Sequence, residues 1–244
     1  TRSRLRASTT VPDPIPYVRL NADYDAEREA VIAAVDRVFR KGDFIQGEAV
    51  ERLERMVAEQ CRVQHAVALN SGTDALIFAM KALGIGAGDE VITPPNSFIA
   101  STSSVVHAGA TPVFADVLDD QNIDPADVAK RITPRTKAIM AVHLTGRCAR
   151  TDELSQIAKS RGLFLIEDAA QAFGSKLGGV PAGGLADVGC FSTHPLKNLN
   201  AAGDAGLVTT NDVKVAGRIR ALRNHGLIDR DTVAEWGYVS RLDT

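Results

Sequence analysis

Three segments of the 244-residue chain place chemically capable side chains where an apolar run gives way to polar residues. Asn70-Ser71-Gly72-Thr73-Asp74 follows the run His65 to Leu69 and opens an apolar stretch at helical spacing, so it reads as a strand feeding a helix. Backbone N–H groups and the helix dipole at such a start attract an anion, and a phosphate would fit. Ser and Thr are also ordinary helix caps, so alone this segment says only that a helix begins. The second segment, Leu163 to Gln171, is an apolar strand that ends in Glu167 and Asp168. A carboxylate there suits a metal, a buried ion pair or the protonated nitrogen of a pyridine ring, whose cationic form a nearby anion stabilises. The third, Val188 to Asn198, runs through Ser192, Thr193 and His194 to a single lysine, Lys197. Lysine is normally a solvated surface group. Among apolar neighbours it loses its proton more readily and becomes an imine-forming nucleophile, and hydroxyls nearby add donors to a phosphate.

Bringing these segments together requires a sheet. Apolar runs at His65 to Leu69, Glu90 to Thr93, Thr111 to Ala115, Lys137 to Leu144, Leu163 to Ile166, Val188 to Phe191 and Leu207 to Thr210 read as strands. Helical patterns lie between most of them, near Thr73 to Leu83, Ser97 to Ala108, Pro125 to Ile132 and Asp152 to Arg161. The alternation predicts an α/β fold with a mainly parallel sheet and helices on both faces. The last two strands have too little between them for a helical crossover and should depart from the parallel pattern. Ligands of such sheets gather at the carboxyl ends of the strands, where all three segments lie. Ahead of the sheet, Asp25 to Arg40 sets Val31, Val35 and Phe39 on one face of an amphipathic helix, and Glu48 to Gln60 reads as a second helix. Without a repeat or a Pro- and Ser-rich linker, residues 25–244 form one domain, preceded by a tail and lead-in segment over residues 1–24 whose first ten residues read as loose.

Composition narrows the function. With 45% hydrophobic and 24% charged residues, the chain is an ordinary globular protein rather than a disordered one. Lys and Arg number 28 against 30 Asp and Glu, which leaves no basic excess for a nucleic-acid backbone. No apolar run approaches the ~20 residues that span a bilayer. Cys61, Cys148 and Cys190 are scattered and odd in number, so neither a disulfide framework nor a zinc cluster is expected, and a reducing cytoplasm suits them.

A phosphate cradle, a partner for a pyridinium nitrogen and an imine-forming lysine, all at one edge of one sheet, make up the set that pyridoxal phosphate requires. The order Ser71-Gly72-Thr73, Glu167-Asp168-Ala169-Ala170-Gln171, and Phe191-Ser192 through His194 to Lys197-Asn198 resembles the DegT/DnrJ/EryC1/StrS family of sugar aminotransferases. The likeness runs from Ile45-Gln46-Gly47 through Arg223-Asn224-His225-Gly226 to Ser240-Arg241-Leu242-Asp243. It implies the large domain of a fold type I enzyme, with a smaller C-terminal domain beyond it that this sequence does not contain. It also implies that Lys197 is the Schiff-base lysine, that Asp168 partners the ring nitrogen and that Gln171 neighbours the phenolic oxygen. Ser71, Gly72, Thr73 and Ser192 would hold the phosphate, and Phe98 would stack on the ring, although a Phe in an apolar helix is also simply core.

The resemblance further implies transfer of an amino group from an amino acid, glutamate in most of the family, to a nucleotide-linked keto sugar. His194 and His225 would meet substrate oxygens or serve the structure. The loop holding Ser240 and Arg241 would reach the neighbouring active site of a homodimer, although Val239, Ser240 and Arg241 stand where the family often carries Asn. The alternatives are a cyclitol aminotransferase and a non-catalytic regulatory protein of the same fold; intact Lys197 and Asp168 oppose the latter. A dinucleotide oxidoreductase would need Gly-x-Gly-x-x-Gly after the first strand, and Asn70-Ser71-Gly72-Thr73 stands there instead.

Overall fold

The computed structural model describes residues 15–16, 18–21 and 24–244, so the expected loose tail over Thr1 to Thr10 lies outside the described residues. Two helices, α1 (Tyr24–Lys41) and α2 (Glu48–Cys61), lead into β1 (His65–Leu69) and α3 (Gly72–Ala82). Next come β2 (Glu90–Thr93), α4 (Ile99–Ala108), β3 (Thr111–Phe114), α5 (Pro125–Arg131) and β4 (Thr136–Val142). The chain continues through α6 (Thr151–Arg161), β5 (Phe164–Asp168), a hairpin of β6 (Lys176–Leu177) and β7 (Val180–Pro181), β8 (Val188–Ser192), β9 (Gly206–Thr210) and α7 (Val213–Leu222).

Seven strands form one sheet in the order β1-β9-β8-β5-β4-β2-β3. The pairs β3–β2, β2–β4, β4–β5 and β5–β8 are parallel; helices cross over within the first three, whereas the segment with the β6–β7 hairpin links β5 to β8. Strand β9 returns from β8 without a helix and lies antiparallel to both β8 and β1. Its first residue, Gly206, pairs with Leu69 at the end of β1 and with Ser192 at the end of β8. One reversed strand therefore brings the carboxyl ends of β1 and β8 to either side of its own start.

Period-two alternation sends successive strand residues to opposite layers. Met140 packs with Phe78 of α3 and Ile219 of α7, whereas Ile139 packs with Val128 of α5 and Leu154 of α6. On the same face as Ile139, Ala66 and Ala68 of β1 meet Val50 and Val57 of α2. A partly buried salt link ties this end of the sheet together: Arg223 donates to Glu54 Oε1 at 2.7 Å and to Ala68 O at 2.6 Å, and Glu54 also accepts from Ala68 N.

The structure adds elements that the periodicity does not announce. Asp212 caps α7 by accepting from Lys214 N and Val215 N. The β6–β7 turn uses Gly178 and Gly179, both at positive φ. The expected amphipathic helix α1 forms but buries none of its residues, and Phe39 is 69% exposed.

Two glycines mark opposite packing regimes. A Cβ on Gly206 would run into the backbone of Ser71, whereas one on Gly217, mid-helix in α7, would meet nothing within 4 Å. Gly206→Ala should therefore lower unfolding stability by about 1–3 kcal/mol. Gly217→Ala should raise it by about 0.5–1 kcal/mol. Urea unfolding of both variants checks the opposite signs, and shifts of equal sign would contradict the packing described.

Candidate active site

A cavity of about 390 Å³ opens at the carboxyl edge of the sheet, around the start of β9. Ser71, Gly72 and Thr73 form one wall. Ser71 is the N-cap of α3, and its side chain accepts from Asp74 N at 3.1 Å. The cap leaves the N–H groups of Gly72 and Thr73, which have no intrahelical partner at a helix start, available to a ligand. Ser192 lies against this turn so closely that a Cβ on Gly72 would sit 2.5 Å from Ser192 Cβ. Helix start and strand end thus pack directly together on one wall of the cavity.

Opposite the cradle, the two acids at the end of β5 part company because neighbouring strand residues face opposite ways. Glu167 is fully buried and accepts from Gly183 N at 2.7 Å, from Leu185 N at 2.8 Å and from His143 Nε2 at 2.9 Å. His143 Nδ1 accepts from Ala149 N, so the imidazole proton sits on Nε2 and is given to Glu167. Asp168 borders the cavity instead. Its Oδ2 accepts from Ser101 Oγ at 2.6 Å and its Oδ1 from Ala170 N at 3.2 Å.

Gln171 lines the same space, and its amide has a fixed sense. Oε1 accepts from Thr145 N at 2.7 Å, which leaves the Nε2 protons to donate. Thr145 holds that N–H in place from a left-handed backbone, φ 54° and ψ 22°, which a β-branched residue rarely adopts. Lys197 lies across the cavity on the loop between β8 and β9. That loop is closed at its base by Thr193 N to Ala205 O and Ala201 N to Thr193 O, and Lys197 N turns back onto His194 O.

Phe98 also borders the cavity, 68% exposed at the N-cap of α4, so it is a rim residue and not part of the core. His194 lines the wall with Nδ1 accepting from Leu196 N, which makes its Nε2 the donor. The other three candidates lie elsewhere. His225, at φ 58°, donates its N–H to Tyr238 O. Arg241 reaches Asn224 Oδ1 at 3.0 Å. Ser240 is fully buried and donates to Asn70 Oδ1 at 3.0 Å within its own chain. Three side chains were not picked out by the sequence: Asp204, an exposed carboxylate on the cavity, Ser97 on its wall, and Ser101 behind it. Ser97 and Ser101 stand four apart, but Ser103 and Ser104 follow in the same stretch, and only the approach of β5 distinguishes them.

Among the described residues, no helix is long and apolar enough to cross a membrane, and no three His, Cys, Asp or Glu side chains are grouped to hold a metal. The model of the DegT/DnrJ/EryC1/StrS aminotransferase family matches residues 25–244. The chain is 44% identical to a UDP-N-acetyl-3-dehydro-α-D-glucosamine 3-aminotransferase of Acidithiobacillus ferrooxidans, over 94% of this chain and 62% of that protein. Among solved structures it is similar to DesV of Streptomyces venezuelae in complex with a ketimine intermediate, with a TM-score of 0.91, 43% identity and cover of 94% and 62% of the two chains. It is also similar to NtdA of Bacillus subtilis with bound cofactor PMP, with a TM-score of 0.87, 31% identity and cover of 94% and 53%. The chain therefore spans about three-fifths of the length of the curated relative.

Cys190 is the other potential nucleophile on the cavity wall, and its surroundings silence it. Burial, then the charges of Asp168 and Glu167, push its thiol well above the usual range, while Sγ donates to Ala75 O. Burial likewise raises Cys61 to about 12 and raises the half-buried Cys148. A thiol pKa raised in this way keeps thiolate scarce until the pH climbs towards it. Iodoacetamide at pH 8 should leave Cys190 and Cys61 unmodified in the native protein and label Cys148 first, as read by peptide mass spectrometry.

Proposed function

The chain belongs to the DegT/DnrJ/EryC1/StrS aminotransferase family, whose cofactor is pyridoxal phosphate, and on that premise we propose that it transfers an amino group from an amino acid to a nucleotide-linked keto sugar. One observation carries the reading: the helix start at Gly72 and Thr73, the Asp168 carboxylate and Lys197 face one cavity of about 390 Å³. The residues present fit the cofactor. The cradle between Gly72 and Ser192 suits its phosphate, Asp168 its ring nitrogen, the Nε2 donor of Gln171 its phenolic oxygen, and Phe98 on the rim its ring face. When bound, pyridoxal phosphate supplies an aldehyde that an amine can capture and a ring that absorbs negative charge.

The protein's part follows from its own groups. Lys197 Nζ is the amine that would hold the aldehyde covalently until an amino donor takes its place. It then becomes the base that moves the proton from the donor's α-carbon. Asp168 would keep the ring nitrogen of the bound cofactor protonated. His194 Nε2 is a donor for oxygens of the acceptor. The relative from Acidithiobacillus, named for a 3-amination of a nucleotide sugar, supports an acceptor of that class, and glutamate is the proposed donor. Two copies are proposed to share their sites; Trp236 and Val239, both exposed on the segment that follows α7, are available to such an interface.

The full-length protein given pyridoxal phosphate should show a visible band that glutamate discharges, and a panel of keto sugar nucleotides should give an aminated product identified by mass and NMR. Absence of the band in wild type would sink the reading. Lys197→Ala should abolish turnover while leaving the fold intact by circular dichroism. Asp168→Asn should retain cofactor and lose at least about tenfold in rate, since a charge-assisted contact contributes ~1.5–3 kcal/mol. Near-normal turnover of either variant would contradict the assigned roles.

A further inference from the structure

Asp168 has few partners, and the one at the shortest distance lies outside the cavity. Ser101, in the first turn of α4, is fully buried and gives its hydroxyl proton to Asp168 Oδ2 at 2.6 Å. A hydroxyl has one proton, and an ionised carboxylate only accepts, so the Ser101 proton is committed. Ser101 Oγ also lies 2.7 Å from Ser97 Oγ. With the Ser101 proton already spent, that contact can be a hydrogen bond only if Ser97 donates. The two hydroxyls therefore form a chain of one direction, from Ser97 on the cavity wall through Ser101 to the carboxylate. The backbone of the turn is held as well, because Ser104 Oγ donates to Ser101 O at 3.2 Å.

The other ionisable groups around Asp168 leave this role open. Cys190, its partner in the β5–β8 ladder, keeps its thiol proton. Glu167, next to it on β5, is satisfied by His143 and two backbone N–H groups on the far face. Lys197, His194 and Asp204 stand around the cavity, and none is hydrogen-bonded to Asp168 among the described residues.

We infer that Ser101 is a positioning residue for the proposed reaction: its hydroxyl, supported by Ser97, fixes the Asp168 carboxylate and leaves its remaining lone pairs to a protonated ring nitrogen. The inference rests on the pyridoxal phosphate reading and goes beyond it, since Ser101 lies behind the cavity and not on its lining. Ser101 acts through Asp168, and Asp168 acts through the ring nitrogen. The effect of Ser101 should therefore vanish when that nitrogen is absent.

The test uses full-length protein stripped of cofactor, with dissociation constants measured for pyridoxal phosphate and for 1-deazapyridoxal phosphate, in which C–H replaces the ring nitrogen. Ser101→Ala should weaken pyridoxal phosphate about tenfold, the scale of one charge-assisted hydrogen bond. It should leave the deaza analogue bound as in wild type. Ser101→Thr, which keeps a hydroxyl, should restore binding of the natural cofactor. An equal loss for both ligands in Ser101→Ala would mean that Ser101 merely supports the fold there, and no loss for either would mean that it does not act on Asp168; both overturn the inference. A wild type that binds neither ligand sinks the cofactor reading and this inference with it.

Discussion

A single close approach of backbone to backbone governs the site. Gly206 begins β9 directly beneath the Ser71–Gly72 turn, and no side chain fits between them. Because β9 runs against both of its neighbours, that one residue fixes the spacing of the β1 end, which carries the anion cradle, and the β8 end, which leads to Lys197. The remaining strands then need only be parallel for Asp168 to arrive at the same edge. The cradle and the loop that carries Lys197 thus depend on the registration of β9, while the pairing of β5 with β8 places Asp168 at the same edge.

Electrostatic separation is the second constraint. Adjacent carboxylates on one strand would repel if they shared a face. The pleat turns Glu167 to the far layer, where three donors satisfy it, and leaves Asp168 as the carboxylate of the pair that meets the cavity. The neutral thiol of Cys190 beside it adds no competing nucleophile. The same pleat that builds the core therefore sorts the chemistry.

Much of this was legible in the residues. The runs His65 to Leu69 and Glu90 to Thr93 match the observed strands, and the missing crossover before Leu207 foretold an antiparallel partner. Lys197, Asp168 and Gly72 stood out because each follows an apolar run, Gln171 came with the family resemblance, and all four border one cavity. Helix α7 was missed although Asp212 supplies a cap and Val215, Ala216, Ile219 and Leu222 keep helical spacing. What could not be read depends on contacts between distant segments. Ser101 is one of several serines in α4 until β5 lies against it, and Ser240 looks like a surface residue until Asn70 turns it inward. The apolar face of α1 shows the converse: periodicity reveals which side of a helix is greasy, and says nothing of whether that side is covered.

Thr145 carries a cost that bears on how such a chain can be improved. A β-branched residue held at φ 54° sacrifices on the order of 1 kcal/mol or more of stability, and it does so where its N–H fixes the Gln171 amide. Selection or engineering for heat resistance alone would favour glycine at position 145, since glycine adopts that conformation freely. The same replacement would widen the excursions of the amide that orients Gln171. Thermal robustness and donor alignment are in competition at one peptide group, so a thermostabilised relative is best judged by how well this turn still points.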